Sequence, residues 1–208
     1  MTLCSSWMRG SGVVAGILVL AGAGCSGGGY PISVDISVPV VKGYSVEDYG
    51  QADPGDVLTP DMDIPAVPIC TLPDSDDLDE MVRDAVGGFV AGMLDVERLE
   101  LVDITIRATE NDFNTLTDLS MYYEPKPILG VVQRAVDLGE TSSESGLGSI
   151  ITLQPPEPVD FLHLIENNEA NPAPDCPKFD VRMRGTVPAV TPRWDVSVKL
   201  RVVGHVSI

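Results

Sequence analysis

The 208-residue sequence has few basic residues, few cysteines and almost no histidine. Thirteen Lys and Arg stand against 31 Asp and Glu, a formal net charge of −18. So acidic a chain is repelled by phosphate backbones and by anionic lipid head groups, which excludes nucleic acid as a partner and charge-driven adhesion to a membrane. The two histidines are far apart. His163 lies in the apolar stretch Phe161-Leu162-His163-Leu164, and His205 lies near the end of the sequence, so both read as structural or solvent-facing. Two histidines and four cysteines without ligand spacing make no metal site. There is no G-x-S-x-G, no H-E-x-x-H and no phosphate-cradling glycine loop. Neither an enzyme nor a cofactor is expected. No apolar run reaches the roughly 20 residues that a membrane-spanning helix needs.

What is present begins at the N-terminus. MTLCSSWMRG carries one charge, Arg9, and no acid; VVAGILVL follows at Val13–Leu20, then AGAGC. A basic start, a short apolar stretch and a small-residue exit make a cleaved secretory signal over residues 1–24. The segment Leu20-Ala21-Gly22-Ala23-Gly24-Cys25 resembles the lipobox of bacterial lipoproteins, in which small residues precede a cysteine that becomes the lipidated first residue. Ala23 and Gly24 match; Gly22 stands where the family usually has Leu, and Leu20 lies two places earlier. The resemblance implies that Cys25 is lipidated and anchors the mature chain to a membrane of the bacterial cell envelope. By similarity to enterobacterial lipoproteins, Ser26 in place of Asp after the cysteine favours the outer membrane over the inner. Residues 25–30 then read as lipidated cysteine and Gly-rich tether.

Removing residues 1–24 takes away Arg9 and no acid, leaving 12 basic and 31 acidic residues and a charge of −19. Cys4 departs with the signal and Cys25 carries lipid, so Cys70 and Cys176 remain. In an oxidising envelope they invite one disulfide. It would close a loop of 107 residues, stabilising the fold by about 4–5 kcal/mol on the chain-entropy view. Two separate buried thiols are the other reading.

Residues 31–208 read as a single domain. Ile32, Val34, Ile36, Val38 and Val40 alternate with polar residues as in a half-buried strand. Residues 43–75 are acidic and proline-rich and predict a long loop or a meandering edge. An amphipathic helix is predicted over about 76–94, where Leu78, Met81, Val82, Ala85, Val86, Phe89, Val90, Met93 and Leu94 recur at helical spacing. Strands are predicted over 102–108, 116–123, 128–136 and 149–154, with a flexible Ser/Gly loop at 139–148 and a short helix or turn at 158–167. Near the end, Phe179, Val181, Met183, Gly185 and Val187 alternate with polar residues, as do Trp194, Val196, Val198, Leu200 and Val202. These predict a long antiparallel hairpin, apolar on one face and basic on the other. The fold class expected is mainly β: an antiparallel β-sandwich of about seven strands with one amphipathic helix.

The charges are unevenly placed. Six of the 12 mature basic residues, Lys178, Arg182, Arg184, Arg193, Lys199 and Arg201, fall in the last predicted hairpin, and eleven acids lie between Glu47 and Glu80. Either the acidic segment crosses and neutralises the basic face, or that face receives an anionic partner such as a polysaccharide or an acidic envelope protein. Asp61, Asp63 and the Asp74–Glu80 run offer oxygen ligands for calcium, but the EF-hand spacing is absent. The expected function is a membrane-anchored, non-catalytic binding or structural module. The alternatives are a carrier holding an apolar ligand in a sandwich cavity, or a hydrolase built on two facing carboxylates.

Overall fold

A computed structural model describes residues 16–18, 30–45, 52–60, 66–69, 75–87, 93–127, 132–171 and 176–206. The chain is mainly β, in two antiparallel sheets with two short helices, consistent with a β-sandwich. In chain order the elements are β1 (Gly16–Leu18), β2 (Tyr30–Ser45), β3 (Val57–Leu58), β4 (Val67–Pro68), α1 (Ser75–Val86), β5 (Leu94–Glu110), β6 (Leu116–Glu124), β7 (Val136–Ser142), β8 (Ile150–Leu153), β9 (Val159–Asp160), α2 (Phe161–Ala170), β10 (Lys178–Thr186) and β11 (Arg193–Val206). The first sheet runs β1-β2-β11-β5-β8, with β9 also on β5. The second runs β3-β10-β6-β7, with β4 also on β10.

The inward faces follow the alternation read from the sequence. Val34, Ile36 and Val38 of β2 and Val196, Val198, Leu200 and Val202 of β11 are buried, opposite Leu119, Met121, Phe179, Val181 and Met183 from the second sheet. Strand β5 is less regular than its sequence predicts. Its buried residues are Leu99 and Leu101, then Ile104 and Ile106, so the inward phase changes from odd to even numbers. The pairing explains the change: Leu200 lies opposite Leu101 and Lys199 opposite Asp103, which leaves Val102 as an extra, bulged residue. One inserted residue turns every following side chain to the other face.

Four expectations are corrected. Strands β10 and β11 are not a hairpin: β10 pairs with β6, β3 and β4 in one sheet, and β11 pairs with β2 and β5 in the other. The link between them contains Pro188 and Pro192, which lack the N–H needed to extend a ladder. Val187 is instead tied to the turn before β3, donating to the Asp56 carbonyl at 2.9 Å while Gly55 N–H donates to the Val187 carbonyl at 3.0 Å. Second, helix α1 ends at Val86, because Gly87 adopts a left-handed φ of 84°. Leu94, predicted as the last helical residue, begins β5, and residues 88–92 lie outside the described part. Third, the predicted strand 128–136 is not one: residues 132–135 have no regular structure and are exposed, residues 128–131 lie outside the described part, and β7 starts at Val136. Fourth, the Ser/Gly segment 139–148 is half strand and half packed loop. Leu147 N–H reaches the carbonyls of Phe113 and Leu116, and a Cβ on Gly146 would run into the Asn114 carbonyl.

Helix α2 forms where a short helix or turn was expected. Asp160 caps its start, accepting from Leu162 N–H at 3.1 Å. Asn167, the buried polar side chain among its described residues, is hydrogen-bonded through both its oxygen and its nitrogen. The Asn167 Oδ1 accepts from Lys126 N–H at 2.9 Å and from the Tyr123 hydroxyl at 3.2 Å, and Nδ2 donates to the Lys126 carbonyl at 2.8 Å. The Tyr123 hydroxyl also lies 3.2 Å from the Leu164 carbonyl, and burial raises its pKa well above the ordinary phenol value. This network fastens α2 to the end of β6. Asn167→Ala leaves part-buried backbone groups of Lys126 without their partner and is expected to cost about 2 kcal/mol, whereas Tyr123→Phe removes one donor and costs about 1 kcal/mol. Urea unfolding of the two variants checks the order.

Candidate binding groove

The outward side of the second sheet carries a polar surface laid out by strand register. In antiparallel strands, residues of like parity share a face, and directly opposed residues approach closely. Register therefore lays out rows across β10, β6 and β7. Arg184 lies opposite Asp118, which lies opposite Ser142; Arg182 lies opposite Ser120, which lies opposite Glu140; Asp180 lies opposite Tyr122. These rows line an open groove of about 430 Å³, bounded at the β3 end by Pro60.

Its central cation is held rigidly. Arg182 donates from Nε to Asp180 Oδ2 at 3.1 Å, and its Nη2 lies within ion-pair distance of the same oxygen, also at 3.1 Å. The guanidinium stacks on Tyr122, with Cζ 4.7 Å from the ring centroid. Arg184 has no acidic partner within ion-pair distance among the described residues. Asp118 Oδ2 accepts from Thr117 Oγ1 at 2.7 Å.

The register shifts at a glycine on each side of β6. Beside Gly185 of β10, where φ is 139°, Thr117 of β6 is the extra residue, and beside Gly139, where φ is 112°, Leu138 of β7 is the extra residue. A Cβ at Gly185 would strike the Thr115 carbonyl, and one at Gly139 the Gln154 carbonyl. Only glycine fits either position, and the bulges set how the groove strands curve.

The six basic residues singled out in the sequence do not make one face. Lys178, Arg182 and Arg184 lie on β10 in the second sheet, and Arg193, Lys199 and Arg201 lie on β11 in the first. Four of them are paired with acids: Arg182 with Asp180, Arg193 with Glu110 at 3.4 Å, and both Lys199 and Arg201 with Asp35 at 3.1 and 3.0 Å. These pairing acids lie on the same strand or on a neighbouring one; most of the acidic segment 47–80 lies outside the described residues. Asp118, Ser120, Tyr122 and Glu140 were not singled out. Their signal was present in part, because Leu119, Met121 and Tyr123 sharing one face puts 118, 120 and 122 on the other. Cys25 and Cys70 lie outside the described residues, and Cys176 is buried. His163 meets Glu166 at 3.2 Å and His205 meets Glu97 at 2.8 Å, both on the exterior. No model of a known protein family matches the chain, and no characterised protein matches its sequence.

The Asp35 cluster gives a pH prediction. Partial burial opposes ionisation of Asp35, but hydrogen bonds and charge from Arg201 and Lys199 outweigh it and hold its carboxyl below the ordinary value. A carboxyl lowered in the folded state adds stability above its unfolded pKa, about 4, and loses it as pH falls through the lowered folded value. Because the partners are partly exposed, Asp35→Asn is expected to cost about 0.5–1 kcal/mol at pH 7. The loss should shrink below about pH 3 and in about 1 M salt, as urea titrations under the three conditions would show.

Proposed function

We propose that this chain is a membrane-anchored cell-envelope lipoprotein, lipidated on Cys25, whose β-sandwich acts as a non-catalytic binding module through the groove on its second sheet. The observation that carries the anchoring is the run Leu20–Cys25 with the Ser26-Gly27-Gly28-Gly29 tether behind it. Its placement on the outer membrane follows from Ser26. The fold accommodates the cut. Cleavage before Cys25 removes β1, three residues on the outer edge of β2, while β2 stays paired with β11 from Tyr30 to Ser45. The edge laid open carries Pro31, Pro39 and Lys42, residues that discourage unwanted strand pairing.

The oxidising compartment agrees with a Cys70–Cys176 bridge. The sulfur of Cys176 is engaged rather than free. Val67 lies opposite Phe179 and Pro68 opposite Lys178, and Ile69 N–H donates to the Pro177 carbonyl at 2.9 Å. Ile69 and Pro177, the sequence neighbours of Cys70 and Cys176, are thus joined directly.

The groove's lining favours a polar ligand over the apolar cargo of a carrier. A second reading, a carboxylate-based hydrolase, rests on Asp118 and Glu140. They are diagonal neighbours across β6 and β7, a relation that spans about 7–8 Å and lies in the range of paired glycosidase carboxylates.

Intact mass spectrometry of the membrane-extracted protein tests the main proposal. The expected mass is residues 25–208 plus a diacyl- or triacylglyceryl group, rising by about 2 Da on reduction of the bridge. An unmodified chain with a different first residue would refute the lipid anchor.

A further inference from the structure

We propose that the groove recognises a neutral, polyhydroxylated ligand, an uncharged glycan, rather than an anionic one. The proposal deepens the binding-module reading and rests on its choice of the groove as the site.

The charge of the lining is the first argument. The groove presents two cations, Arg182 and Arg184, and two carboxylates, Asp118 and Glu140, which cancel formally. One of the cations is already shared with Asp180. A phosphate, a uronate or an acidic peptide would gain little from such a site. It would also be repelled by a mature chain of charge −19, with 12 basic and 31 acidic residues.

The second argument is the mixture of hydrogen-bonding types. A sugar hydroxyl donates one hydrogen bond and accepts two, so it is satisfied where donors and acceptors interleave. Arg182 and Arg184 only donate, ionised Asp118 and Glu140 only accept, and the Ser120 and Ser142 hydroxyls do both. Rows running Arg184, Asp118, Ser142 and Arg182, Ser120, Glu140 alternate these types across three strands at the spacing of a sheet.

The third argument is shape. A pyranose has an apolar C–H face and a polar rim. Tyr122, one face of whose ring Arg182 covers, and Pro60 at the end of the groove add apolar surface to the lining. The volume of about 430 Å³ suits a small ligand or a short stretch of a longer one. Its openness to solvent fits a chain that enters and leaves along the strands. Arg182 is fixed by Asp180 and Tyr122, so little of its rotamer freedom remains to be lost on binding.

The test is titration calorimetry on the full processed protein in detergent, its anchoring first established by mass so that the two proposals fail separately. The probes are cellohexaose, maltohexaose and hexa-N-acetylchitohexaose, with polygalacturonate and an acidic hexapeptide as anionic comparisons. At least one neutral oligosaccharide is expected to bind, and neither anion. Tyr122→Ala, Arg184→Met and Glu140→Gln should each weaken that binding about tenfold or more. Arg107→Met, exposed on the other sheet, should leave it unchanged. Thermal melts keep unfolded variants out of the comparison, and Arg184→Met and Glu140→Gln change exposed side chains that the core does not need. Binding by no neutral probe, preference for polygalacturonate or the acidic peptide, or binding that survives the groove variants would overturn the proposal. Cleavage of a bound oligosaccharide that stops in Glu140→Gln would keep the glycan as ligand and transfer the site to the hydrolase reading.

Discussion

The alternation of Trp194, Val196, Val198, Leu200 and Val202 along β11 is the constraint on which the rest of the sandwich depends. This strand is paired along its length on both sides, with β2 and with β5. A slip of one residue would turn its whole apolar set to solvent and break two ladders together. Trp194 fixes the phase at one end, with its ring edge-on to Tyr44 of β2 at 5.2 Å and to Phe113 of the β5–β6 turn at 6.3 Å. Burial of such a side chain is worth several kcal/mol, more than any exposed ion pair in the molecule. The bulges on β2 and β5 follow from this. Where the neighbours' sequences fall out of step with β11, they are the strands that bend.

The same two-sided packing explains the charges. Each sheet turns one face inward, so every strand sends its polar residues to an outer face where the nearest groups belong to adjacent strands. Arg201 and Lys199 find Asp35 across a ladder, and Arg182 finds Asp180 two residues along its own strand. Among the described residues these pairs are local. On the second sheet they leave a balanced lining of guanidinium, carboxylate and hydroxyl groups, and the groove's proposed preference for an uncharged ligand grows from that balance.

Much of the strand content was legible because half-buried strands write their faces into the chain with period two. The predicted strands at 31–40, 116–123 and 149–154 and both terminal segments correspond to β2, β6, β8, β10 and β11. Segment 128–136 misled because a short apolar run has the composition of a buried strand without a period that settles it. Helix α1 was extended too far because Phe89, Val90, Met93 and Leu94 keep the helical spacing, while the break depends on the backbone of Gly87. Of the groove, the sequence marked Arg182 and Arg184 as part of a basic cluster, but not the residues that face them. Asp118, Tyr122 and Glu140 sit on strands whose neighbours in space are not their neighbours in sequence.

By itself, the sequence determined the acidity of the chain and the inward-facing residues of most strands, and it carries the lipobox-like run on which the proposed anchoring rests. Each is a local property of composition or period. Only the tertiary structure decided that β10 and β11 belong to different sheets, that the basic residues are divided between two faces, and that β10, β6 and β7 together line a groove. Those outcomes depend on which strand edges pair, and backbone hydrogen bonds, identical for every residue but proline, carry no sequence label for their partner.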